Sequence, residues 1–118
     1  LFRAADAYLM LAECAARGGA DKTKGLDALN AVRERAGLEK VSSFTAQDVL
    51  DERGRELLWE GHRRSDLIRF GKFTTADYLW EYKGSVKEGA AVADYRNLFP
   101  LPPADVNANS NLKQNAGY

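Results

Sequence analysis

From Thr45 to Phe73 the chain reads T-A-Q-D-V-L-D-E-R-G-R-E-L-L-W-E-G-H-R-R-S-D-L-I-R-F-G-K-F, and this run constrains the fold more than any other. Thr45 followed three residues later by Asp48 is a capping box, in which a hydroxyl and a carboxylate each satisfy a backbone N–H at a helix start. Phe44 and Val49 stand where a hydrophobic staple packs. At 100° per residue, Ala46, Val49, Leu50 and Leu57 fall on one stripe, and Arg53 and Glu60 fall inside it. A helix that turns an Arg and a Glu inward must pair them, because an unpaired buried charge costs several kcal/mol. The spacing therefore predicts a partly buried ion-pair network drawn from Arg53, Glu56, Glu60, Arg63, Arg64, Asp66 and Arg69, fixing how this helix meets the segment after Gly61. Such a network is architecture rather than catalysis.

The flanking chain is helical as well. Residues 2–17 predict a helix whose polar residues, Arg3, Asp6, Glu13 and Arg17, share one narrow stripe, while Leu1, Phe2, Tyr8, Leu9, Met10 and Leu11 cover the rest. A helix so apolar wants neighbours on several sides. Gly18 and Gly19 end it, Asp21 caps a second helix of about 15 residues, and Gly37 stops that one. Gly25, Leu29, Val32 and Ala36 mark the second helix's inner face. Tyr8, Leu11, Leu29, Val32, Val49, Leu57 and Leu67 are the expected core. The result is an all-α reading: a helical hairpin plus a third helix, stacked in the manner of tetratricopeptide units, although no 34-residue repeat is visible.

Beyond Phe73 the pattern dissolves. Thr74 to Tyr82 reads as a short helix or irregular turn, and 83–97 as a loop. Leu98-Phe99-Pro100-Leu101-Pro102-Pro103 is extended, because a residue before proline is pushed out of the helical region. Pro103 can open one helical turn. The Asn-rich tail favours turns, with Leu112 and Tyr118 as anchors to the helices.

The 118 residues carry no net charge, which removes any electrostatic case for nucleic acid. No apolar run of 18 residues exists to form a spanning helix. Cys14 is the single cysteine and reads as a small buried helix residue. Its L-A-E-C context is only faintly like a lipid-attachment site, because Glu13 replaces the small residue such sites carry. Helical periodicity is already under way at Leu1, so the chain reads as a piece of something longer.

Chemistry is sparse. Glu56 and Glu60 lie one helical turn apart, but Arg-rich surroundings keep both ionised, which is wrong for a general acid. His62 is the only histidine, so metal clusters and catalytic triads lack their parts. No phosphate loop or dinucleotide fingerprint occurs, and no cofactor or metal is expected. Trp80 and Tyr82 beside a Gly-containing loop are the candidate ligand-binding residues, as a platform on which sugar rings stack; the competing reading places them in the core.

Six collinear stretches resemble the C-terminal region of the RagB/SusD family of outer-membrane nutrient-binding proteins. They are Y-L-M-L-A-E-C-A-A-R-G-G, G-L-D-A-L-N-A-V-R-E-R-A-G, W-E-G-H-R-R-S-D-L-I-R-F-G-K-F, Y-L-W-E-Y-K-G, N-L-F-P-L-P and N-L-K-Q-N-A-G-Y. Ala108 and Ala116 depart from it where the family often has proline, and Ser85 where it often has glycine. The resemblance implies an all-α, SusD-type segment over 1–118, with a helical layer over 1–73 and mostly irregular loops over 74–118. It implies a non-enzymatic, carbohydrate-directed surface lipoprotein of the outer membrane. Its partners would be an oligosaccharide or other nutrient and a TonB-dependent (SusC-like) barrel, and its lipid anchor would lie N-terminal to this chain. A structural or protein-interaction helical module that binds no small ligand remains the alternative.

Overall fold

A computed structural model describes residues 2–118, so the expectation placed on Leu1 lies outside the described residues. Among these there are α-helices α1 (Ala4–Ala16), α2 (Lys22–Arg35), α3 (Ala46–Glu56), α4 (Arg63–Arg69) and α5 (Pro103–Ala108), with short 3-10 turns and no strand. The chain divides into two compact units, one ending at Asp66 and one running from Leu67 to Tyr118. The change from helical to irregular chain was expected at 73; the units part earlier, inside α4.

In the first unit α1 and α2 form the expected hairpin. Gly18 takes the left-handed conformation at φ +83° beyond the end of α1, and Asp21 caps α2 by accepting from the Lys24 N–H at 2.9 Å. The two helices approach so closely at Gly25 that any Cβ there would overlap the Ala15 side chain. Leu9, Ala12, Leu29, Val32 and Val49 make the central cluster, with Phe44 packed against it as the staple requires. The capping box is complete. Asp48 N–H donates to the Thr45 hydroxyl, and Thr45 N–H donates to the Asp48 carboxylate at 2.7 Å. Asn30 pins the loop before α3 by exchanging two 2.9 Å hydrogen bonds with the backbone of Val41.

The orientation of α1 is the main correction. Tyr8 and Leu11, expected in the core, are 47% and 39% exposed, and Cys14, expected buried, is exposed as well. The helix turns its acidic residues inward instead. Asp6 is buried against Arg53, and Glu13 is buried and bonded by Arg17. Pairing offsets much of the cost of burying those charges, and the apolar flank is left facing out. Ala36 is likewise exposed, because it forms the C-cap of α2 rather than its last inner position.

Helix α3 stops at Glu56, and the turn that follows passes through Trp59 at φ +63° and Gly61 at φ +82°. That break takes Glu60 out of helical phase, so it is exposed although the stripe placed it inward. Gly54, a poor helix former in mid-helix, is explained by Arg63. The Arg63 guanidinium lies where a Cβ would be 3.0 Å from its carbon, and it donates to the Leu50 carbonyl at 2.7 Å.

In the second unit α4 closes on Gly71 at φ +67°, with Lys72 N–H donating to Leu67 C=O at 2.8 Å and Gly71 N–H to Ile68 C=O at 2.9 Å. This pairing satisfies carbonyls that the helix end leaves open. Residues 74–82 are irregular rather than helical, 3-10 turns occupy Lys83–Ser85 and Asp94–Asn97, and Pro103 opens α5. The extended stretch before Pro103 has no strand to pair with, so side-chain amides serve its backbone. Gln114 bonds both N–H and C=O of Leu101 at 2.8 and 2.9 Å, and Asn115 donates to Phe99 C=O at 2.7 Å. Tyr118 anchors the tail, but to Leu98 C=O and, edge-on, to Tyr95 of the second 3-10 turn, where the α-helices were expected. Leu112 does not; it is exposed, and Gln114 and Asn115 take its place.

Candidate functional site

Of the residues expected to form an ion-pair network, Arg53, Glu56, Glu60 and Asp66 make ion pairs, most of them with partners outside the stretch 53–69. Arg53, 3% exposed, donates through Nη1 to Asp6 at 2.7 Å and through Nε to Asp66 at 2.8 Å. One guanidinium thus ties α1 and the start of α4 to α3. Glu56 and Glu60 both accept from Arg3, at 2.9 Å and 2.7 Å, and Glu56 also from Arg35 at 2.6 Å. Those carboxylates hold the Arg3 pKa above its ordinary value, Glu60 most strongly. A second buried centre, Glu52, accepts from Arg33 at 2.9 Å and Arg55 at 2.7 Å. Arg63 serves α3 as described above, and Arg69 lies over the Phe70 ring at 5.5 Å. Arg64 is half-buried. Glu56 and Glu60 are each held by arginine, so this cluster ties helices together.

Trp80 and Tyr82 both belong to the second unit. Trp80 is 39% exposed, and its ring has Phe73 at 5.9 Å and Tyr78 at 6.3 Å between centroids. Tyr82 is 66% exposed and held at φ +64°, a left-handed conformation that aromatic residues seldom adopt. Its N–H donates to Lys87 C=O at 3.3 Å, which closes the 82–87 loop. Gly89 is required here, because a Cβ would come within 2.5 Å of the Trp80 carbonyl oxygen.

Lys83 was missed by sequence reasoning, and it organises this cluster. It is 2% exposed. Its ammonium donates to the carbonyls of Thr75 and Tyr78, the latter at 2.7 Å, with Lys72 C=O at 3.5 Å, and lies 4.7 Å from the Trp80 ring centroid. Burial pushes its pKa down, opposed by the charge of Asp77. A lysine beside glycine reads as surface; the one available signal was its place after aromatics at 78, 80 and 82, where a cation can sit on a ring. Of the polar residues near this surface, Lys87 and Glu88 are exposed, while Asp94 accepts from the Thr74 hydroxyl at 2.7 Å. The arrangement offers a partly open aromatic surface with a few polar neighbours, suited to weak stacking contact rather than enclosure. No group of three or more metal-ligating side chains occurs among the described residues.

The model of the SusD family matches residues 1–118, the whole chain. The chain belongs to the SusD family. It is 49% identical to the starch-binding protein SusD of Bacteroides thetaiotaomicron, over all of this chain and 21% of that protein. Among solved structures, surface glycan-binding protein A from Bacteroides uniformis superposes with a TM-score of 0.82 at 32% identity, covering 98% of this chain and 27% of that one. Surface glycan-binding protein A from Bacteroides thetaiotaomicron, solved with laminarihexaose, gives 0.77 at 29% identity, over 97% of this chain and 24% of that one. The chain thus spans between a fifth and about a quarter of the length of these SusD-family relatives. The helical architecture expected of a SusD-type segment is present.

Proposed function

We infer that this chain is part of a non-enzymatic glycan-binding protein at the bacterial outer surface, and that it supplies scaffold more than binding site. The observation that carries the reading is the match to the SusD family along the whole chain, with relatives named for starch and glycan binding. The scaffold role rests on where its polar chemistry is spent: Glu52, Arg53 and Glu56, all on α3, are committed to partners on α1, α2 and α4. Trp80 and Tyr82 are the candidate contact residues, on the ground of their exposure. Transfer of the glycan to a TonB-dependent, SusC-like barrel is part of the same proposal and rests on family membership.

A chimera in which this segment replaces the matching part of the Bacteroides thetaiotaomicron relative tests the reading on a glycan array. Retained starch binding supports a scaffold role. Loss of binding in a chimera that folds contradicts it. Co-purification with the cognate barrel tests the transfer step separately.

A further inference from the structure

Among the described residues, the buried charged side chains of Asp6, Glu13, Glu52, Arg53 and Asp66 are all ion-paired. Lys83 is buried as deeply, yet it belongs to none of the ion pairs among those residues. Asp77, the carboxylate whose charge acts on it, is exposed. Burying an ammonium without a counter-ion costs several kcal/mol unless its donors are met. Neutral groups meet them. The Tyr78 carbonyl accepts at 2.7 Å, the Thr75 carbonyl accepts as well, the Lys72 carbonyl stands at 3.5 Å, and the Trp80 ring centroid is 4.7 Å away. Carbonyl oxygens in place of a hydration shell, with an aromatic face beside them, are what proteins offer to free monovalent cations. Other bonds hold these walls. Lys72 N–H donates to Leu67 C=O at 2.8 Å, Val92 N–H donates to Thr74 C=O at 2.9 Å, and the Thr74 hydroxyl donates to Asp94 at 2.7 Å.

We propose that the carbonyls of Lys72, Thr75 and Tyr78 and the face of Trp80 form a site for a monovalent cation of ammonium size, which this chain fills with the tethered ammonium of Lys83. The site recognises charge and size rather than the lysine stem, because every contact named is to the ammonium nitrogen. Tethering explains why no free ion is needed: a cation carried on the neighbouring turn is present at high effective concentration. Cutting the tether at the β-carbon leaves the walls standing and opens a channel the length of the lost side chain. Ammonium and potassium share the size and charge that fit. Sodium is smaller and holds its water more tightly, and tetramethylammonium is too large.

The experiment is cation rescue of Lys83→Ala in the 118-residue chain, in a Trp59→Phe background that leaves Trp80 as the one indole. In sodium chloride the variant should lose the native Trp80 emission and melt below its parent. Ammonium or potassium chloride in place of sodium chloride, each at about 0.1 M so that screening is equal, should restore the emission. Either should also raise the melting temperature by about 4 °C, as an ion bound only by the folded chain does. Tetramethylammonium chloride should do no more than sodium. The parent, whose cage is filled, and Lys83→Met, whose side chain blocks the channel, should not distinguish the salts. If Lys83→Ala does not fold in sodium, it is refolded in ammonium instead: return of the native emission supports the site, and failure to return overturns it. An equal response of Lys83→Ala to all four salts overturns the proposal. So does a response of Lys83→Met or the parent as large as that of Lys83→Ala.

Discussion

Arg53 and Asp66 meet at 2.8 Å with both side chains almost wholly removed from water. With Asp6 on the other branch of the guanidinium, the three residues join α1, α3 and the start of α4. A triad of this kind is costly to break from one side, because the remaining charges stay buried without a partner. Arg53→Met should lower unfolding stability by roughly 3–5 kcal/mol. The exposed pair of Lys40 and Glu34 is the control, and Lys40→Ala should cost about 0–1 kcal/mol. Equal denaturant midpoints for the two variants would show the triad to be superficial.

Asp48 provides a pH signature. Hydrogen bonds from Thr45, side chain first and backbone second, hold its pKa below the ordinary 3.8. A carboxylate with a depressed folded pKa stabilises above its unfolded value and loses that contribution as pH falls through the folded one. The capping contribution should therefore be complete at neutral pH and disappear below about pH 3.8. Asp48→Asn should flatten this component of the acid titration of stability, and Thr45→Ala should cost about 1 kcal/mol at pH 7. An acid profile identical in wild type and Asp48→Asn would contradict the assignment.

Ser85 carries avoidable strain. Its φ of +63° follows Gly84 at φ +67° in the same tight turn. Ser85→Gly should stabilise the second unit by about 0.5–1 kcal/mol, the left-handed penalty less the added chain entropy of glycine. Gly84→Ala should go the other way, since its Cβ would sit 3.2 Å from the Ala90 carbonyl oxygen and from the Val92 side chain. Urea titrations of both variants give the two signs directly.

Lys83→Met tests the ammonium beneath the aromatic cluster. The carbonyls of Thr75 and Tyr78 lose their donor, and each one left buried without a replacement costs about 1–3 kcal/mol. Trp59 is 98% exposed, so Trp59→Phe leaves Trp80 as the only indole reporter without disturbing the core. In that background Lys83→Met should shift Trp80 emission to the red and lower the melting temperature. Unchanged emission and melting would remove Lys83 from its organising role.

What could be read from the sequence divides by distance along the chain. The capping box, the Asp21 cap, the glycine stops and Pro103 at a helix start are set by residues within a turn or so of each other, and the structure has them. The direction in which α1 faces depends on Asp6 finding Arg53, which lies 47 positions away. Periodicity places polar residues on one stripe without saying whether the stripe meets water or a buried guanidinium. The tail was opaque for the same reason: Gln114 acts on Leu101, 13 positions earlier, in place of a strand. At the candidate site Trp80 and Tyr82 could be picked out by residue type, whereas the buried Lys83 beneath them could not.

The most direct test of the scaffold account is a calorimetric titration of the 118-residue chain, its Trp80→Ala variant and the chimera with one panel of starch- and laminarin-derived oligosaccharides. An open aromatic surface without converging polar groups gives little affinity, and ordering the exposed loop around Lys87 and Glu88 consumes part of it. The account predicts weak or undetectable binding by the chain and measurable binding by the chimera. Binding by the chain as tight as by the chimera, abolished by Trp80→Ala, would contradict it and place the glycan site on Trp80 itself.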